Sequence, residues 1–203
     1  MPRVASASAF TQVITLRVTL HPQEISPPIW REMWVDGSMS LAKLHHFLQA
    51  AFGWHDSHLH EFLIGDKVYR QPDPEMDSPD RPTFDEKRTV LSKLLRVGDR
   101  FTYVYDFGDH WEHVIEVRSI ETVEGIAPGN GYVTAGARSA PPEDVGGVPG
   151  YEDFLEQILA RPIDYEGLRL LGWAGGSFDP EQFDMRAANA AIQRMLWNHW
   201  GGR

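Results

Sequence analysis

Short segments in which apolar and polar residues alternate constrain the fold of this chain more than any other feature of its sequence. They are residues 10–20 (FTQVITLRVTL), 29–35 (IWREMWV) and 58–64 (HLHEFLI), followed by two more on either side of Gly108. A period of two residues is that of a strand with one buried face. Helical patterns do not alternate regularly with these segments, which disfavours a parallel βαβ sheet. The sequence therefore predicts a largely antiparallel sheet.

Helical periodicity is clearest in residues 41–52, where leucines repeat on one face. Ser40 is placed to cap the start of this helix and Gly53 to end it. Weaker helical patterns occur in residues 91–95, 151–160 and 184–197, the last with Asp184 as its cap. These elements predict an α+β fold, a single domain with a largely antiparallel sheet packed against a few helices. We expect that domain at residues 10–198, between flexible ends at 1–9 and 199–203.

The composition limits the chemistry that is open to the chain. Its 203 residues suit one domain. The absence of cysteine excludes disulfides, thiolate nucleophiles and cysteine-built metal sites, so any metal must be held by His, Asp and Glu. No apolar run approaches the roughly 20 residues of a membrane span. We therefore expect a cytoplasmic protein without membrane contact.

The net charge of −10 is concentrated in one segment. Residues 106–166 contain 13 acids and 3 bases, whereas the rest of the chain contains 16 of each. Such a surface repels a phosphate backbone and attracts cations or basic partners. Nucleic acid is therefore disfavoured as a partner. A solvated acidic face without a ligand is the simpler alternative.

The first polar cluster lies in residues 105–117 (YDFGDHWEHVIEV). A two-residue turn at Gly108 and Asp109 would pair Phe107 with His110 and place Asp106 and His113 on one face of a hairpin. Gly108 would then take a positive φ. These side chains are metal-ligand candidates. The alternative is that the aspartate caps the turn and also holds the histidine in the core.

The second cluster lies in residues 52–62 (FGWHDSHLHEF). His58 and His60 point the same way on a strand, which allows two imidazoles to bind one metal. Histidines on strands also occur as surface or hydrogen-bonded core residues, so both interpretations stay open. His45, at the edge of the apolar face of the preceding helix, is interpreted as structural.

The third cluster is PPEDVGG in residues 141–147, where Glu143 and Asp144 present adjacent carboxylates. They could favour the start of the following helix or close an acidic pocket against the hairpin tip. We expect that residues 55–61, 106–113 and 143–144 gather around a common hollow.

Six motifs occur in order between about Val13 and about Trp197: PPIWR, LHHFLQAAFGW, HLHEF, YDFGDHWEH, PPEDVGG and FDPEQFD. Together they resemble the plasmid ORF-three-like family, named from an open reading frame on a root-inducing plasmid, some of whose members are labelled transposon-passenger TnpR-like proteins. The resemblance implies an α+β fold and a link to mobile-element or bacterial accessory genes. It does not imply a reaction.

Two departures narrow what the resemblance implies. Relatives carry cysteines just before the PPED segment, where this chain has Val133 and Ala140, which argues against an obligatory cysteine-bound metal. A serine recombinase needs a nucleophilic serine surrounded by arginines, whereas Ser6 and Ser8 lie among small residues. DNA recombination is therefore disfavoured.

Two functions remain. The preferred one is a non-enzymatic binding or interaction module for an unknown protein or small-molecule ligand. Its acidic pocket would be lined by aromatic residues, to which the seven tryptophans of the chain could contribute. The candidate pocket residues are Trp54, His55, Asp56, Tyr105, Asp106, Asp109, His110, Trp111 and Glu112, with Trp30 as a further aromatic.

The alternative is a metal-assisted hydrolase. Glu143 or Asp144 would act as general base on a water bound to zinc or manganese. The candidate metal ligands are His58, His60, Asp106, Asp109 and His113.

Overall fold

The computed structural model describes residues 10–21, 23–74, 77, 81–124 and 130–200. Their strands form one eight-stranded sheet in the order β5-β4-β3-β6-β7-β1-β2-β8. All neighbours are antiparallel except β4 and β5. The strands are β1 Phe10–Leu20, β2 Ile29–Asp36, β3 His60–Ile64, β4 Lys67–Arg70, β5 Thr83–Asp85, β6 Arg100–Tyr105, β7 Trp111–Glu124 and β8 Gly131–Ala137.

Helices complete the α+β fold that the sequence predicts. They are α1 Leu41–Phe52, α2 Leu91–Leu94, α3 Gly147–Leu159, α4 Tyr165–Trp173 and α5 Met185–Trp197, with a 3₁₀ turn at Glu86–Arg88. Among the described residues, no helix has the length and hydropathy needed to cross a membrane. Of the predicted flexible ends, 1–9 and 199–203, residues 1–9 and 201–203 lie outside the described residues.

The local signals in the sequence produce the elements that were predicted from them. Ser40 accepts a hydrogen bond from the backbone N–H of Lys43 at the start of α1, and Gly53 ends the helix with φ of 80°. Asp184 caps α5 by accepting from the N–H of Ala187. Alternate residues of β1 are fully buried, so its alternation does mark one core-facing side.

Three strands or helices occur where no regular structure was predicted, and the first is the short strand β5 in the Pro-rich segment 71–88. Strand β8 lies within the Gly- and Pro-rich stretch 123–150, and its glycines permit close packing. A Cβ at Gly131 would lie 2.6 Å from the carbonyl oxygen of Trp34. Helix α4 is the third, and although Leu170 and Leu171 pack against the core, only Gly167 among its residues is fully buried.

The hairpin between β6 and β7 has a longer connection than predicted. Tyr105 pairs with Trp111, and residues 106–110 form the connection. Asp106 has φ of 56°, and its Oδ1 accepts from the N–H groups of Gly108 and Asp109. The predicted two-residue turn with Gly108 at positive φ is therefore wrong, because the Asp106 side chain organises a wider loop.

The change of register alters which side chains face the core. Tyr103 pairs with His113, whereas the prediction placed them on opposite faces. A slip of one residue moves every side chain to the other face. Tyr103, Tyr105, Trp111 and His113 therefore all face the core, and each is at most 1 % exposed.

Candidate functional site

The structure brings residues of the three polar segments into contact. His55 Nδ1 lies 2.7 Å from Glu143 Oε2, and the Tyr105 hydroxyl donates to Glu143 Oε1. His58, at the entrance to β3, lies between Asp106 and Asp144. The loop after α1, the β6–β7 connection and the PPED segment therefore meet.

His58, Asp106 and Asp144 form the first candidate metal centre, which we call the His58 triad. His58 Nε2 lies 3.0 Å from Asp144 Oδ1 and 3.6 Å from Asp106 Oδ2. The three possible ligand atoms lie within 4.8 Å of one another. The Nε2 atom is buried and has no hydrogen-bond partner among the described residues, because the contact with Asp144 lacks hydrogen-bond geometry. Its contacts with the two carboxylates are therefore ion-pair contacts and not formed hydrogen bonds.

The two carboxylates of the triad differ in how firmly they are held. Asp106 Oδ1 accepts two backbone N–H groups, which leaves Oδ2 as the oxygen nearer to His58. Asp144 is 69 % exposed in its side chain and has φ of 59°, so it stands at the outer edge. The triad therefore has one anchored carboxylate and one that solvent or a ligand can reach.

A separate hydrogen-bonded chain occupies the neighbouring histidines. Gln49 donates to the Tyr103 hydroxyl, which donates to His45 Nδ1, and His45 Nε2 donates to Asp56 Oδ1 at 2.7 Å. Burial lowers the pKa of His45 to about 4, although the hydrogen bond to Asp56 opposes this shift. At neutral pH His45 is therefore uncharged and both of its nitrogens have partners.

His46 completes a second group with metal-ligand geometry, His45, His46 and Asp56. Its Nδ1 lies 3.4 Å from Asp56 Oδ2, and burial lowers its pKa. This group differs from the His58 triad because the His45–Asp56 contact is a formed hydrogen bond. A metal here would have to break that bond.

His60 does not share a ligand position with His58, contrary to the prediction that the two imidazoles could bind one metal. Its Nε2 lies 2.8 Å from Glu86 Oε2, and its ring stacks on that of His45 with centroids 3.5 Å apart. Glu86 is 3 % exposed. The cause is that β3 begins at His60, so His58 precedes the strand and points elsewhere.

Most of these histidines and acids line one polar cavity of about 540 Å³, the histidine cleft, but Asp106 and Asp144 are not among its lining residues. The cleft lies between α1, the start of β3 and the 3₁₀ turn. Its lining includes His45, His46, Asp56, His58, His60, Glu86, Lys87 and Phe107.

Several predicted pocket residues are core residues instead. Trp54, Tyr105 and Trp111 are at most 6 % exposed and stack on one another, with Trp54 5.0 Å from Tyr105 and 6.2 Å from Trp111 between ring centroids. Trp30 packs beneath the guanidinium of Arg17. Tyr105 and Trp111 therefore lie in the core, because the changed register turns their rings inward, whereas Trp54 also forms part of the wall of a cavity beside α5.

His113 is a core residue and cannot serve as a metal ligand with Asp106. It is 0 % exposed, and its Nδ1 donates to the Trp111 carbonyl at 3.0 Å. Burial lowers its pKa to about 3. His113 is therefore a core histidine as the alternative predicted, but backbone carbonyls hold it and Asp106 does not.

The remaining hairpin candidates lie outside the His58 triad. Asp109 Oδ2 accepts from the N–H of Gly146 and so ties the hairpin tip to the start of α3. His110 is exposed at the tip, and Glu112 lies on the outer side of β7.

Glu143 is bound on both carboxylate oxygens. It accepts from the Tyr105 hydroxyl, from the His55 backbone N–H at 3.1 Å and from His55 Nδ1. Burial would raise the pKa of its carboxyl, but these hydrogen bonds outweigh burial and hold the pKa below its ordinary value. Such a group is a weak general base.

Sequence reasoning missed His46, Glu86 and Lys87 as cleft residues. The adjacent pair His45 and His46 on α1 was a usable signal, because neighbouring helical positions can reach both the core and a cleft. Glu86 gave no signal, since it follows a Pro-rich loop whose path the sequence does not determine.

Comparison with known proteins shows the same fold and the same family. A family model described as plasmid pRiA4b ORF-3-like protein matches residues 12–187. The chain is 36 % identical over 178 residues to uncharacterized protein y4hQ of Sinorhizobium fredii, covering 87 % of this chain and 86 % of that protein. It is similar to the crystal structure of a protein of unknown function, MM3350 from Methanosarcina mazei Go1, with a TM-score of 0.75 and 33 % identity over 88 % of this chain and 97 % of that one. These matches confirm the resemblance seen in the six motifs. The chain belongs to the plasmid pRiA4b ORF-3-like family.

Proposed function

We propose that the protein is a non-enzymatic binding module that holds a divalent cation, zinc or manganese, at His58, Asp106 and Asp144. The observation that carries the proposal is the state of His58 Nε2, a buried nitrogen without a hydrogen-bond partner that faces two carboxylates. A buried polar atom normally has a partner, so a missing one points to a ligand.

The spacing of the triad fits a bound metal ion. Zinc bonds of about 2.0–2.1 Å in a tetrahedron put neighbouring ligand atoms about 3.3 Å apart. The distances from His58 Nε2, 3.0 Å and 3.6 Å, lie on either side of that value. By contrast, the 2.7 Å between His45 Nε2 and Asp56 Oδ1 is a hydrogen-bond distance.

The support around the triad also fits a metal site. Backbone N–H groups fix Asp106 in the way that outer partners fix metal-binding carboxylates. Imidazole favours zinc and carboxylates favour manganese, so this ligand set suits both ions. Asp106 and Asp144 also lie in the acidic segment 106–166, which raises the local concentration of cations.

The two residues considered as general bases favour the binding role over the hydrolase. Glu143 has both oxygens hydrogen-bonded, and Asp144 would be a ligand. Neither residue therefore offers a free carboxylate that could take a proton from a metal-bound water. The hydrolase remains the alternative, to be recognised by metal-dependent turnover.

The proposal also covers the kind of ligand that the module binds and the place where it acts. We place the protein in the cytoplasm as an accessory protein of plasmids or mobile elements that acts on a protein or small-molecule ligand. The plasmid-derived family name and the acid excess of residues 106–166, which repels nucleic acid, support this assignment.

The direct test is metal analysis of protein purified without chelator, followed by titration of the chelated protein with zinc and with manganese. We expect one ion per chain and a melting temperature that EDTA lowers. Asp106→Asn and His58→Gln should each weaken metal affinity at least about 10-fold, by analogy with losses at outer-shell positions.

Two control variants separate the His58 triad from other histidines. His110→Gln changes an exposed histidine of the same hairpin and should bind metal as the wild type does. His46→Gln tests the second group. Loss of binding in His46→Gln with retention in His58→Gln would refute the assignment, as would the absence of bound metal together with no effect of EDTA.

A further inference from the structure

A second cavity, of about 490 Å³, lies between β2, the end of α1 and the first half of α5. We call it the Arg31 cavity. Unlike the histidine cleft, much of its lining is apolar. The lining includes Arg31, Trp54, Phe178, Phe183, Ala187 and Arg194.

Arg31 is buried in this cavity wall without an acidic partner. It is 2 % exposed, and none of its ion pairs or hydrogen bonds in the described structure involves a carboxylate. Its Nε donates to the Ala51 carbonyl, and its Nη1 donates to the carbonyls of Trp30 and Ala137. Nη2 has no protein acceptor among the described residues, so its two N–H groups are unused.

The guanidinium is also held rigidly. Its carbon lies 3.8 Å from the ring centroid of Phe183 and 4.9 Å from that of Phe52. Together with the three hydrogen bonds, these contacts fix the plane of the group. Three of the six sequence motifs meet here, since Arg31 ends PPIWR, Phe52 lies in LHHFLQAAFGW and Phe183 lies in FDPEQFD.

The charges around the cavity leave an excess of positive charge in an otherwise acidic protein. Arg194 lies at the rim and pairs with no carboxylate among the described residues. Asp184 also lies at the rim, but its Oδ1 caps α5 by accepting from Ala187. Burial lowers the pKa of Arg31 to about 9, so it stays cationic at neutral pH. A buried charge without a counter-charge is unfavourable, and a bound anion would supply the counter-charge for Arg31.

We propose that the Arg31 cavity binds a small organic carboxylate, with the carboxylate on Nη2 of Arg31 and the apolar part against Phe178, Phe183 and the alanines of α5. The volume and the apolar lining favour an organic anion over a bare inorganic ion. This site is independent of the proposed metal centre.

The test compares benzoate with benzamide, which has nearly the same shape and no charge, by calorimetric titration of the full chain in the presence of EDTA. We expect saturable binding of benzoate that is about 10- to 100-fold tighter than that of benzamide, the usual gain of a hydrogen bond to an ionised group. Equal affinity for the two compounds, or no binding of benzoate, would overturn the proposal.

Two variants of α5 locate the binding site without removing Arg31, whose loss could unfold the protein. Ala187→Leu places a larger side chain in the cavity from an exposed helical position and should abolish benzoate binding. Ala190→Leu makes the same change at an exposed position of the same helix that does not line the cavity, and should bind like the wild type. Unchanged binding in Ala187→Leu would contradict the location.

The charge at the rim and the type of anion are tested separately. Arg194→Gln should weaken benzoate binding several-fold while leaving benzamide unaffected. Inorganic phosphate should bind more weakly than benzoate. Phosphate binding as tight as that of benzoate, and lost in Ala187→Leu, would refute the organic carboxylate and identify a general anion site.

Discussion

The burial of His113 predicts a specific loss of stability in acid. The imidazole is 0 % exposed and is surrounded by the rings of Phe52, Trp54 and Tyr103. Nδ1 donates to the Trp111 carbonyl, while Nε2 has no hydrogen-bond partner among the described residues. A proton on Nε2 would therefore create a buried charge without a partner, which is the physical cause of the low pKa.

The sign and size of the effect follow from linkage. The pKa of His113 falls from 6.5 in the unfolded chain to about 3 in the fold, so the unfolded chain binds more protons between these values. The contribution of His113 to the free energy of unfolding is therefore complete above pH 6.5 and is lost as the pH falls toward 3. Between pH 7.5 and 4.5 this loss is about 3 kcal/mol, since each pKa unit corresponds to roughly 1.4 kcal/mol.

Urea unfolding from pH 7.5 to 4.5, on the wild type and on His113→Phe, measures this loss. Phenylalanine keeps an aromatic ring in the core but cannot take up a proton. The variant should be less stable at pH 7.5, because it loses the bond to the Trp111 carbonyl, and its stability should fall by about 2–3 kcal/mol less on acidification. Equal pH dependence of the two proteins would refute the proposed state of His113.

Three further predictions concern stability and are measured by urea unfolding at pH 7.5. Gly136→Ala should lower the free energy of unfolding by about 1–3 kcal/mol, because the new Cβ would lie 2.4 Å from the Phe183 ring; a neutral effect would mean that β8 can move. A Cβ at Gly172 on α4 would meet no atom within 4 Å, and alanine favours a helix more than glycine does. Gly172→Ala should therefore raise the free energy of unfolding by about 0.5–1 kcal/mol, and a decrease would contradict the open environment. Asp184→Ala should lower it by about 1 kcal/mol through loss of the α5 cap, and an unchanged value would deny that role.

The parts of the fold that depend on local chemistry could be predicted from the sequence. The start of α1 follows from the short-range bond between Ser40 and Lys43, and its end follows from the left-handed conformation of Gly53. The α+β class follows from the alternating strands. These features depend on residues a few positions apart, so the sequence contains all that determines them.

The register of the β6–β7 hairpin could not be predicted in the same way. A glycine followed by an aspartate is the usual signal for a two-residue turn. Here the side chain of Asp106 organises a five-residue connection, which lets Tyr105 pair with Trp111 inside the core. Burial of large aromatic rings decides between the two registers, and this depends on α1 residues such as Phe52 that pack from far away in sequence.

The sequence did contain one signal for the Arg31 cavity. In the alternation of residues 29–35, Arg31 falls on the same face as Ile29, Met33 and Val35, which are fully buried. A cation on the apolar face of a strand needs polar partners, which are supplied either by the protein or by a ligand. The sequence cannot decide between these, because the absence of a carboxylate near Arg31 is known only once the chain is folded.

The two proposed sites share a physical feature that separates them from the other polar clusters. His45, His60 and Glu143 belong to polar clusters, yet they are hydrogen-bonded within the protein. His58 Nε2 and Arg31 Nη2 lack such partners among the described residues, and His58 and Arg31 each line a cavity. His113 Nε2 also lacks a partner, but rings enclose it and no ligand could reach it. An unused polar atom indicates a binding site only where a cavity gives a ligand access, and His58 and Arg31 both meet this condition.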